Sequence, residues 1–446
     1  MSSTTSRTVL AGVAALALML DLMDATAVSV VLPAIGSDLG TSPKTLGFVV
    51  TSYVAGLIAA MLLTGHVSRR YGARAVFCGG LLVFVIGSAA TAMADTTLLL
   101  AGARMVQGLG GGVLVPTATA VVLDQFGPDR RATASLVVSI PATIAPAVGP
   151  LIAAIFVDGG SWRLLFWMNL PLGVLLIVLA WLTFPTTRER AGSFDWLGYA
   201  ALTGGAVALL ILVDPNDTPL VVRSVAAIVA AVSAAVFVRR LRTSSAAVIP
   251  PRVFRGRGFR LSVLVMLAAS ASFAAVTFVL PQQRQTDGST VLASALTLSV
   301  HAAGVLAALA VTSRLIKRVS PALLLIVGMS VYTIAIGALI AGGNWPTWAV
   351  TAAMFVGGVG YGATVVPLQT IPFEGMEGAE LGDAVPVLSL ARQAGLILGP
   401  AFASVILTVA SSPHAMLTAT LAAAVGAVLA VRLRHGTPEK AGVAPR

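Results

Sequence analysis

The stretch "ALMLDLMDATAVSVVLP", residues Ala17 to Pro33, decides how the rest of the chain is interpreted. It is apolar enough to lie in lipid, yet it contains two carboxylates, Asp21 and Asp24. Apolar runs of roughly 20 residues, the length that a helix needs to cross a bilayer, recur along the whole chain. We therefore expect the chain to fold in a lipid bilayer, and the presence of two acidic residues within one apolar span requires an explanation.

The composition also indicates a membrane protein. The 446 residues are 57% hydrophobic and only 10% charged, and their mean hydropathy is +0.95. A soluble domain would carry about 25% charged residues. Because Cys78 is the only cysteine, an intrachain disulfide and a cysteine metal site are excluded. The first apolar run, Thr8 to Leu32, is longer than a signal-peptide core, and we interpret it as a retained span.

Charged residues, glycines and prolines divide the chain into fourteen candidate membrane spans. We expect helices, because runs of this length satisfy their own backbone hydrogen bonds in lipid. The predicted spans lie near residues 8–34, 45–66, 73–94, 97–123, 131–157, 163–184, 195–213, 219–238, 260–280, 289–312, 321–341, 347–371, 384–409 and 414–431. The predicted fold class is an all-α polytopic membrane protein.

The positive charges predict how these spans are oriented. Most of the 28 lysine and arginine residues fall on the side of the two termini. The exceptions are Lys44, Arg163, Arg223 and Arg284 on the opposite side, and Arg104 and Arg392 within spans. By the positive-inside rule, both termini are cytoplasmic in a multi-pass protein of the cell membrane. The net charge of +11 follows from this topology and gives no reason to expect nucleic acid as a partner.

The loops indicate an internal repeat. A basic linker at 241–258 divides the chain after the eighth span. The loops "GHVSRRYGAR" and "SRLIKRVSPA" follow the second and tenth spans, and each carries a pair of basic residues. We therefore predict a six-helix half at 1–190, two inserted helices at 191–240, the linker, and a second six-helix half at 259–446. Two such halves are a recurrent plan of transporters, with the substrate bound at their interface.

Five short motifs occur along this framework. They are "MDATAVSVVLP" (23–33), "LAGARMVQGLGGG" (100–112), "SWRLLFWMNLP", "FDWLG" and "ARQAGLILG" (391–399). In this order they resemble the motifs of the major facilitator superfamily, in particular its branch of fourteen-span drug:proton antiporters. The resemblance covers nearly the whole chain and implies two six-helix halves plus two inserted helices. It places Asp24 at the acidic position of the first-helix motif, and Arg104 and Gln107 in the fourth-helix motif.

The loop after the second span departs from the family pattern. It keeps Gly65, Arg70, Gly72 and Arg74, but Arg69 stands where the family has an aspartate. That aspartate is thought to help latch the cytoplasmic side, so the resemblance implies a gating role for this loop and leaves the role of Arg69 open.

The fifth-helix motif departs as well. It reads "APAVGPLIAA" and keeps Gly149 and Pro150, whereas alanines replace the other glycines of the family pattern. Small residues still permit close contact between helices. We therefore keep Gly149 and Pro150 as conformational residues.

Ionisable residues inside a membrane cost a few kcal/mol each, so they usually mark a pathway or a partner. Asp21 and Asp24 lie on one side of their helix, about 60° apart. Asp24 lies about 16 residues into its span, roughly 24 Å deep in a ~30 Å core. Arg104 reaches a similar level from the outer side, so an Asp24–Arg104 pair fits this geometry. Proton exchange and helix packing both remain open for these three residues, and Gln107 is a candidate hydrogen-bonding neighbour.

The second half offers fewer titratable groups. His301, near the middle of its span, is either a packing residue or a second proton-coupling site. Arg392 and Gln393 either pack and snorkel or contact substrate. The acidic loop from Pro372 to Asp383 is expected to be solvated, with a salt-bridge gate as the alternative.

Aromatic residues on candidate cavity helices include Tyr53, Phe273 and Tyr361. They suit an amphiphilic organic substrate, although aromatic residues on such helices also pack in the core or face lipid. Together with Gln107, Arg392 and Gln393, they form the predicted substrate cavity.

Enzyme motifs such as HExxH, a Walker loop or GxSxG do not occur in the sequence, and the cluster "GLGGG" at 108–112 falls inside a span, where it favours helix packing. Any uphill transport must therefore use an ion gradient. The sequence and the resemblance together predict a monomeric, cofactor-free, proton-coupled exporter of an amphiphilic drug, antibiotic or secondary metabolite. An importer or facilitator of a small metabolite is the first alternative, and a membrane-embedded enzyme or receptor is the second.

Overall fold

The computed structural model describes residues 3–41, 43–158, 160–186, 193–213, 219–244, 248–249, 251–286, 291–316, 318–341, 345–409 and 412–434. Within these ranges every regular element is helical. The fifteen α-helices are α1 (Ser3–Leu39), α2 (Pro43–Tyr71), α3 (Ala73–Ala92), α4 (Thr97–Phe126), α5 (Arg131–Asp158), α6 (Arg163–Trp167), α7 (Asn169–Thr183), α8 (Trp196–Val213), α9 (Leu220–Thr243), α10 (Arg257–Thr286), α11 (Val291–Leu315), α12 (Pro321–Ala341), α13 (Thr347–Leu368), α14 (Ala379–Val409) and α15 (Ser412–Arg434).

Local sequence explains where several of these helices begin and end. The Thr96 side chain accepts a hydrogen bond from the Leu99 N–H at the start of α4, and Gly127 ends that helix with a φ of 69°. Between α6 and α7, Met168 keeps helical dihedrals, so the two short helices form one nearly continuous apolar segment.

Twelve helices of the described residues are long and apolar enough to cross a membrane. Three shorter apolar helical stretches are Val30–Leu39, Arg131–Ala145 and Trp196–Leu212. Large apolar side chains lie on the outside of the helices, among them Leu98 at 85% and Trp348 at 74% exposure. Such a surface needs lipid around it, which confirms a multi-pass, all-helical membrane protein. The number of fourteen spans stays a prediction.

The chain divides into two compact units. The first comprises Met1–Pro251 and Gly375–Leu390, and the second comprises Arg252–Glu374 and Ala391–Arg446. Helix α14 therefore begins in the first unit and continues in the second.

In the first unit, α4 packs against both α2 and α3, while α1 packs against α5. Glycines make the contacts of α4 close. A Cβ atom at Gly108 would stand 2.1 Å from the Tyr53 carbonyl oxygen, and one at Gly110 would stand 2.3 Å from the Phe84 backbone nitrogen. Any larger residue at either position would push the helices apart.

The second unit repeats this contact pattern, with α13 packed against α11 and α12. A Cβ atom at Gly358 would stand 2.1 Å from the His301 carbonyl oxygen, and one at Gly360 would stand 2.5 Å from the Tyr332 backbone nitrogen. His301 therefore occupies the position in the second unit that Tyr53 occupies in the first.

Helices α8 and α9 pack on each other, and α8 also packs on α2. Asp195, just before α8, is 3% exposed and forms an ion pair with Arg240 of α9 at 2.8 Å. It also accepts a hydrogen bond from the Gly198 N–H at 2.9 Å. Burial acts to raise the pKa of Asp195, but the hydrogen bonds from Arg240 and Gly198 outweigh it and hold the pKa below its usual value.

Candidate functional site

Asp24 lies at the centre of a buried polar cluster in the first unit, and it is 3% exposed. Arg104 donates to Asp24 Oδ2 at 2.5 Å, so the predicted contact between these two residues is present. Gln107 and Asn169 donate to Asp24 Oδ1 at 3.0 and 2.8 Å. An ionised carboxylate only accepts hydrogen bonds, so this set of three donors fits the charged form of Asp24.

Arg104 is one of the largest fully buried side chains, at 1% exposure. Its Nη1 also donates to Gln107 Oε1 at 2.7 Å. The guanidinium carbon lies 4.2 Å from the centre of the Tyr53 ring and 5.7 Å from that of Phe166, within range of cation–π attraction. Removing one partner of a buried ion pair typically costs 3–5 kcal/mol, because the other charge is left uncompensated.

Asp21 belongs to the same region and is 1% exposed. The Tyr53 hydroxyl donates to Asp21 Oδ1 at 2.6 Å. A Cβ atom at Gly111 would stand 2.1 Å from the same oxygen, so only glycine leaves room for this carboxylate. Tyr53 therefore links the two acidic positions: its hydroxyl donates to Asp21, and its ring covers Arg104, the ion-pair partner of Asp24.

Sequence reasoning missed Asn169, although it falls within the motif "SWRLLFWMNLP". Asn169 begins α7, is 2% exposed, and donates both to Asp24 and to the Ser88 hydroxyl, the latter at 3.0 Å. Ser88 in turn donates to the Phe166 carbonyl at 2.9 Å. Because an amide carries no charge, the available signal was weak: a single asparagine in an otherwise apolar segment.

The second unit holds a cluster of four rings, one from each of the helices α10 to α13. Phe273 and Tyr361 stack with their centroids 4.9 Å apart, and Phe273 lies 5.7 Å from His301. Tyr332, which sequence reasoning did not select, lies 5.5 Å from Tyr361 and 6.2 Å from His301. The structure thus brings together His301, Phe273 and Tyr361 from the predicted set and adds Tyr332.

The predicted residues of α14 lie beside this cluster in the second unit. Arg392 is close enough to Tyr361 to interact with it electrostatically. Gln393 follows on the same helix and is partly buried. Gln107 and Tyr53, also predicted for the substrate cavity, lie in the buried cluster around Asp24, and their role in substrate binding stays a prediction.

Arg69, the residue that departs from the family pattern, forms an ion pair with Asp383 near the start of α14. Asp383 is 5% exposed, so the expectation of a solvated loop was wrong at this position. The acid is buried because α14 lies against α2: a Cβ atom at Gly65 would stand 2.9 Å from the Gly382 carbonyl oxygen. A small pocket beside this pair is lined by Gly65, His66, Arg69, Val248, Ile249 and Asp383, among others.

The other loop residues have structural contacts. The guanidinium of Arg70 lies 5.5 Å from the centre of the Tyr71 ring, and Arg74 Nε donates to the Phe184 carbonyl at 2.7 Å. Gly72 adopts a φ of 87°, which favours glycine and lets the chain turn between α2 and α3.

The fifth-helix residues lie in α5. A Cβ atom at Gly149 would stand 2.5 Å from the Thr26 hydroxyl and 2.7 Å from the Met23 carbonyl oxygen, so glycine allows α5 to approach α1. The Pro150 side chain lies outside the described residues. Among the described residues, no group of three or more His, Cys, Asp and Glu side chains could hold a metal ion.

Comparison with known proteins identifies the family. The family model described as Major Facilitator Superfamily matches residues 14–400. The chain belongs to the major facilitator superfamily. Like other members, it is a transport protein and not an enzyme. The second alternative, a membrane-embedded enzyme or receptor, is therefore excluded.

Among curated relatives, the facilitator is similar to a "Multidrug resistance protein B homolog" of Mycobacterium tuberculosis, with 26% identity over 412 residues, 89% of this chain and 76% of that protein. It is also similar to a "Putative multidrug resistance protein MdtD" of Pectobacterium carotovorum subsp. carotovorum, with 24% identity over 398 residues, 88% of this chain and 85% of that protein.

A solved structure shows the same fold at lower sequence identity. The human organic anion transporter MFSD10 (TETRAN) matches the facilitator with a TM-score of 0.70 and 15% identity, covering 95% of this chain and 99% of that chain. At this identity the match supports the fold alone.

Proposed function

We propose that this transporter is a proton-coupled exporter of an amphiphilic organic compound, such as a drug, an antibiotic or a secondary metabolite. In this proposal it works as a monomer in the cell membrane, with both termini in the cytoplasm, and uses the proton gradient without any cofactor. Its relatives named for multidrug resistance support the substrate class. The excess of basic residues on the side of the termini supports the orientation.

The observation that carries proton coupling is the buried cluster around Asp24. The three donors Arg104, Gln107 and Asn169 come from α4 and α7, whereas Asp24 belongs to α1. A proton on Asp24 would leave the Arg104 charge without its counter-ion and would require these donors to find other partners. Protonation would therefore favour a different arrangement of three helices, which is the coupling that an antiporter needs.

Asp21 gives the site a second carboxylate, connected to the Asp24 cluster through Tyr53, which donates to Asp21 and whose ring covers Arg104. In the proposed cycle Asp24 carries the coupling proton and Asp21 tunes it. His301 is then assigned to the second unit's ring cluster and not to proton exchange.

The test uses everted membrane vesicles and a fluorescent amphiphilic dye. We expect dye uptake only when a proton gradient is imposed, and we expect Asp24→Asn to abolish that uptake while the purified variant still binds the dye. Asparagine keeps the size of the side chain and removes its titration. Asp21→Asn should have the milder effect.

Proton release from purified protein on dye addition gives an independent measurement. Wild type should release protons and Asp24→Asn should not. Equilibration of the dye without a gradient would instead favour a facilitator. Normal release and transport by Asp24→Asn, together with loss of both in His301→Gln, would move the coupling site to the second unit.

A further inference from the structure

The ring cluster of the second unit contains a hydrogen-bond acceptor that has no protein donor among the described residues. His301 is 3% exposed, and its Nδ1 lies 3.1 Å from the Met354 carbonyl oxygen. Because a carbonyl oxygen can only accept, Nδ1 must carry the proton. Nε2 is then a bare acceptor, and it is buried without a partner. A buried acceptor of this kind costs about 1–3 kcal/mol until a donor reaches it.

The backbone holds this histidine in place. The close approach of Gly358 to the His301 carbonyl oxygen fixes α11 against α13. The equivalent residue of the first unit, Tyr53, donates its hydroxyl to Asp21. At corresponding positions, the first unit therefore has a hydrogen-bond donor, the Tyr53 hydroxyl, and the second unit has an acceptor, His301 Nε2.

The surroundings of Nε2 are aromatic. Phe273 and Tyr361 are partly exposed and stack with an angle of 22° between their planes, while Tyr332 lies behind them. Stacked rings of this kind favour another planar ring. The helices α10, α11, α12 and α13 contain no aspartate or glutamate, and the Arg392 charge lies near Tyr361. The cluster therefore offers no carboxylate to neutralise a cationic ligand.

We propose that Phe273, His301 and Tyr361 form a binding site for an uncharged planar aromatic compound with a hydroxyl donor, which stacks against an outer face of the Phe273–Tyr361 pair and donates to His301 Nε2. This inference rests on the proposed function, since it assumes that an amphiphilic compound enters the helical bundle. It names the substrate as a phenol-like molecule.

The test compares 2-naphthol with its methyl ether, 2-methoxynaphthalene, which has the same rings but no donor. Binding is measured by equilibrium dialysis with the purified full-length protein, without any proton gradient. We expect wild type to bind 2-naphthol about five- to tenfold more tightly than the ether, the range for one hydrogen bond. His301→Phe should keep the affinity for the ether and lose the preference. Tyr199→Phe, a matched control on α8 outside the cluster, should keep the preference.

Nuclear magnetic resonance of protein with ¹⁵N-labelled histidine provides a readout that does not depend on a variant. The chain has only four histidines, so the His301 signals can be assigned by single substitution. 2-Naphthol should shift the Nε2 resonance, and the ether should not. An Nε2 resonance that already shows a hydrogen bond without ligand, and that 2-naphthol leaves unmoved, would assign the acceptor to water and overturn the proposal.

Equal affinity of wild type for the two compounds would also overturn it, as would a preference that survives in His301→Phe. These measurements involve binding alone. Failure of gradient-driven export would contradict the proposed function and leave this site standing, whereas loss of the naphthol preference would contradict the site and leave export standing.

Discussion

At the scale of single residues, neutral donors matter as much as charges around Asp24. Arg104 supplies the opposite charge, but the second carboxylate oxygen is bound by two amides, Gln107 and Asn169. The amide of Asn169 is itself held by Ser88. A buried carboxylate that loses one of these donors is left with an unsatisfied oxygen, and this costs free energy.

We therefore predict that Asn169→Ala reduces gradient-driven efflux by about ten- to a hundredfold, since a lost hydrogen bond to a charged group corresponds to roughly 1.5–3 kcal/mol. Ser88→Ala removes only the contact that positions Asn169 and should have a smaller effect. Dye efflux from cells, normalised to the amount of protein in the membrane, measures both. Equal efflux by Asn169→Ala and wild type would show that the hydrogen bond from Asn169 to Asp24 is not required for transport.

At the scale of elements, close glycine contacts hold α4 on α2. Gly108→Ala would place a methyl group 2.1 Å from the Tyr53 carbonyl oxygen. Gly102 lies on the same helix, and a Cβ atom there would meet nothing within 4 Å. We expect Gly108→Ala to lower the apparent melting temperature in detergent and to impair transport, and Gly102→Ala to change neither. Similar behaviour of the two variants would show that helix packing at Gly108 is loose.

The inserted helices depend on a different kind of contact, the Asp195–Arg240 ion pair. Because the pKa of Asp195 is lowered in the fold, its contribution to stability is present above the unfolded value of about 3.9 and is lost as the pH falls through the folded pKa. We predict that Asp195→Asn costs roughly 1–2 kcal/mol at neutral pH.

The pH dependence separates this ion pair from simple packing. The difference in apparent melting temperature between wild type and Asp195→Asn should begin to shrink as the pH falls below the unfolded pKa of about 3.9, and it should vanish once the pH is below the lowered pKa of the folded state. A difference that stays constant over this range would mean that the charge of Asp195 contributes nothing to the stability of α8 and α9.

At the scale of the whole molecule, alternating access requires an end of the helical bundle to open and close. Arg69 and Asp383 join α2 to the start of α14, and Arg131 adds a hydrogen bond to the Met376 carbonyl at 2.6 Å. The family pattern has an acid at the position of Arg69. In this protein the residue there is basic, and the acid of the pair is Asp383 on α14.

Charge exchange tests this pair directly. Arg69→Asp and Asp383→Arg should each reduce efflux by about tenfold or more, because like charges in a largely buried contact cost several kcal/mol. The double exchange should restore most of the activity. If the double variant is as impaired as either single variant, the pair is not required for the transport cycle.

The sequence by itself determined the properties that depend on local composition. Runs of apolar residues predicted the membrane helices, because a span needs only length and hydropathy. The depth of Asp24 and Arg104 along their helices predicted their contact, because the rise per residue is constant. The division into two halves of six spans stays a prediction, whereas the contacts of α4 with α2 and α3 and those of α13 with α11 and α12 are observed.

Only the tertiary structure decided which side chains meet across helices that are far apart in the chain. Asn169 joined Asp24 from 145 residues away, and Asp383 joined Arg69 from 314 residues away. Tyr332 completed the ring cluster from a fourth helix. Hydropathy does not report these contacts, because an apolar helix looks alike from every side until its packing fixes which face turns inward. The glycines at 108 and 358 set that packing, and with it the positions of Tyr53 and His301.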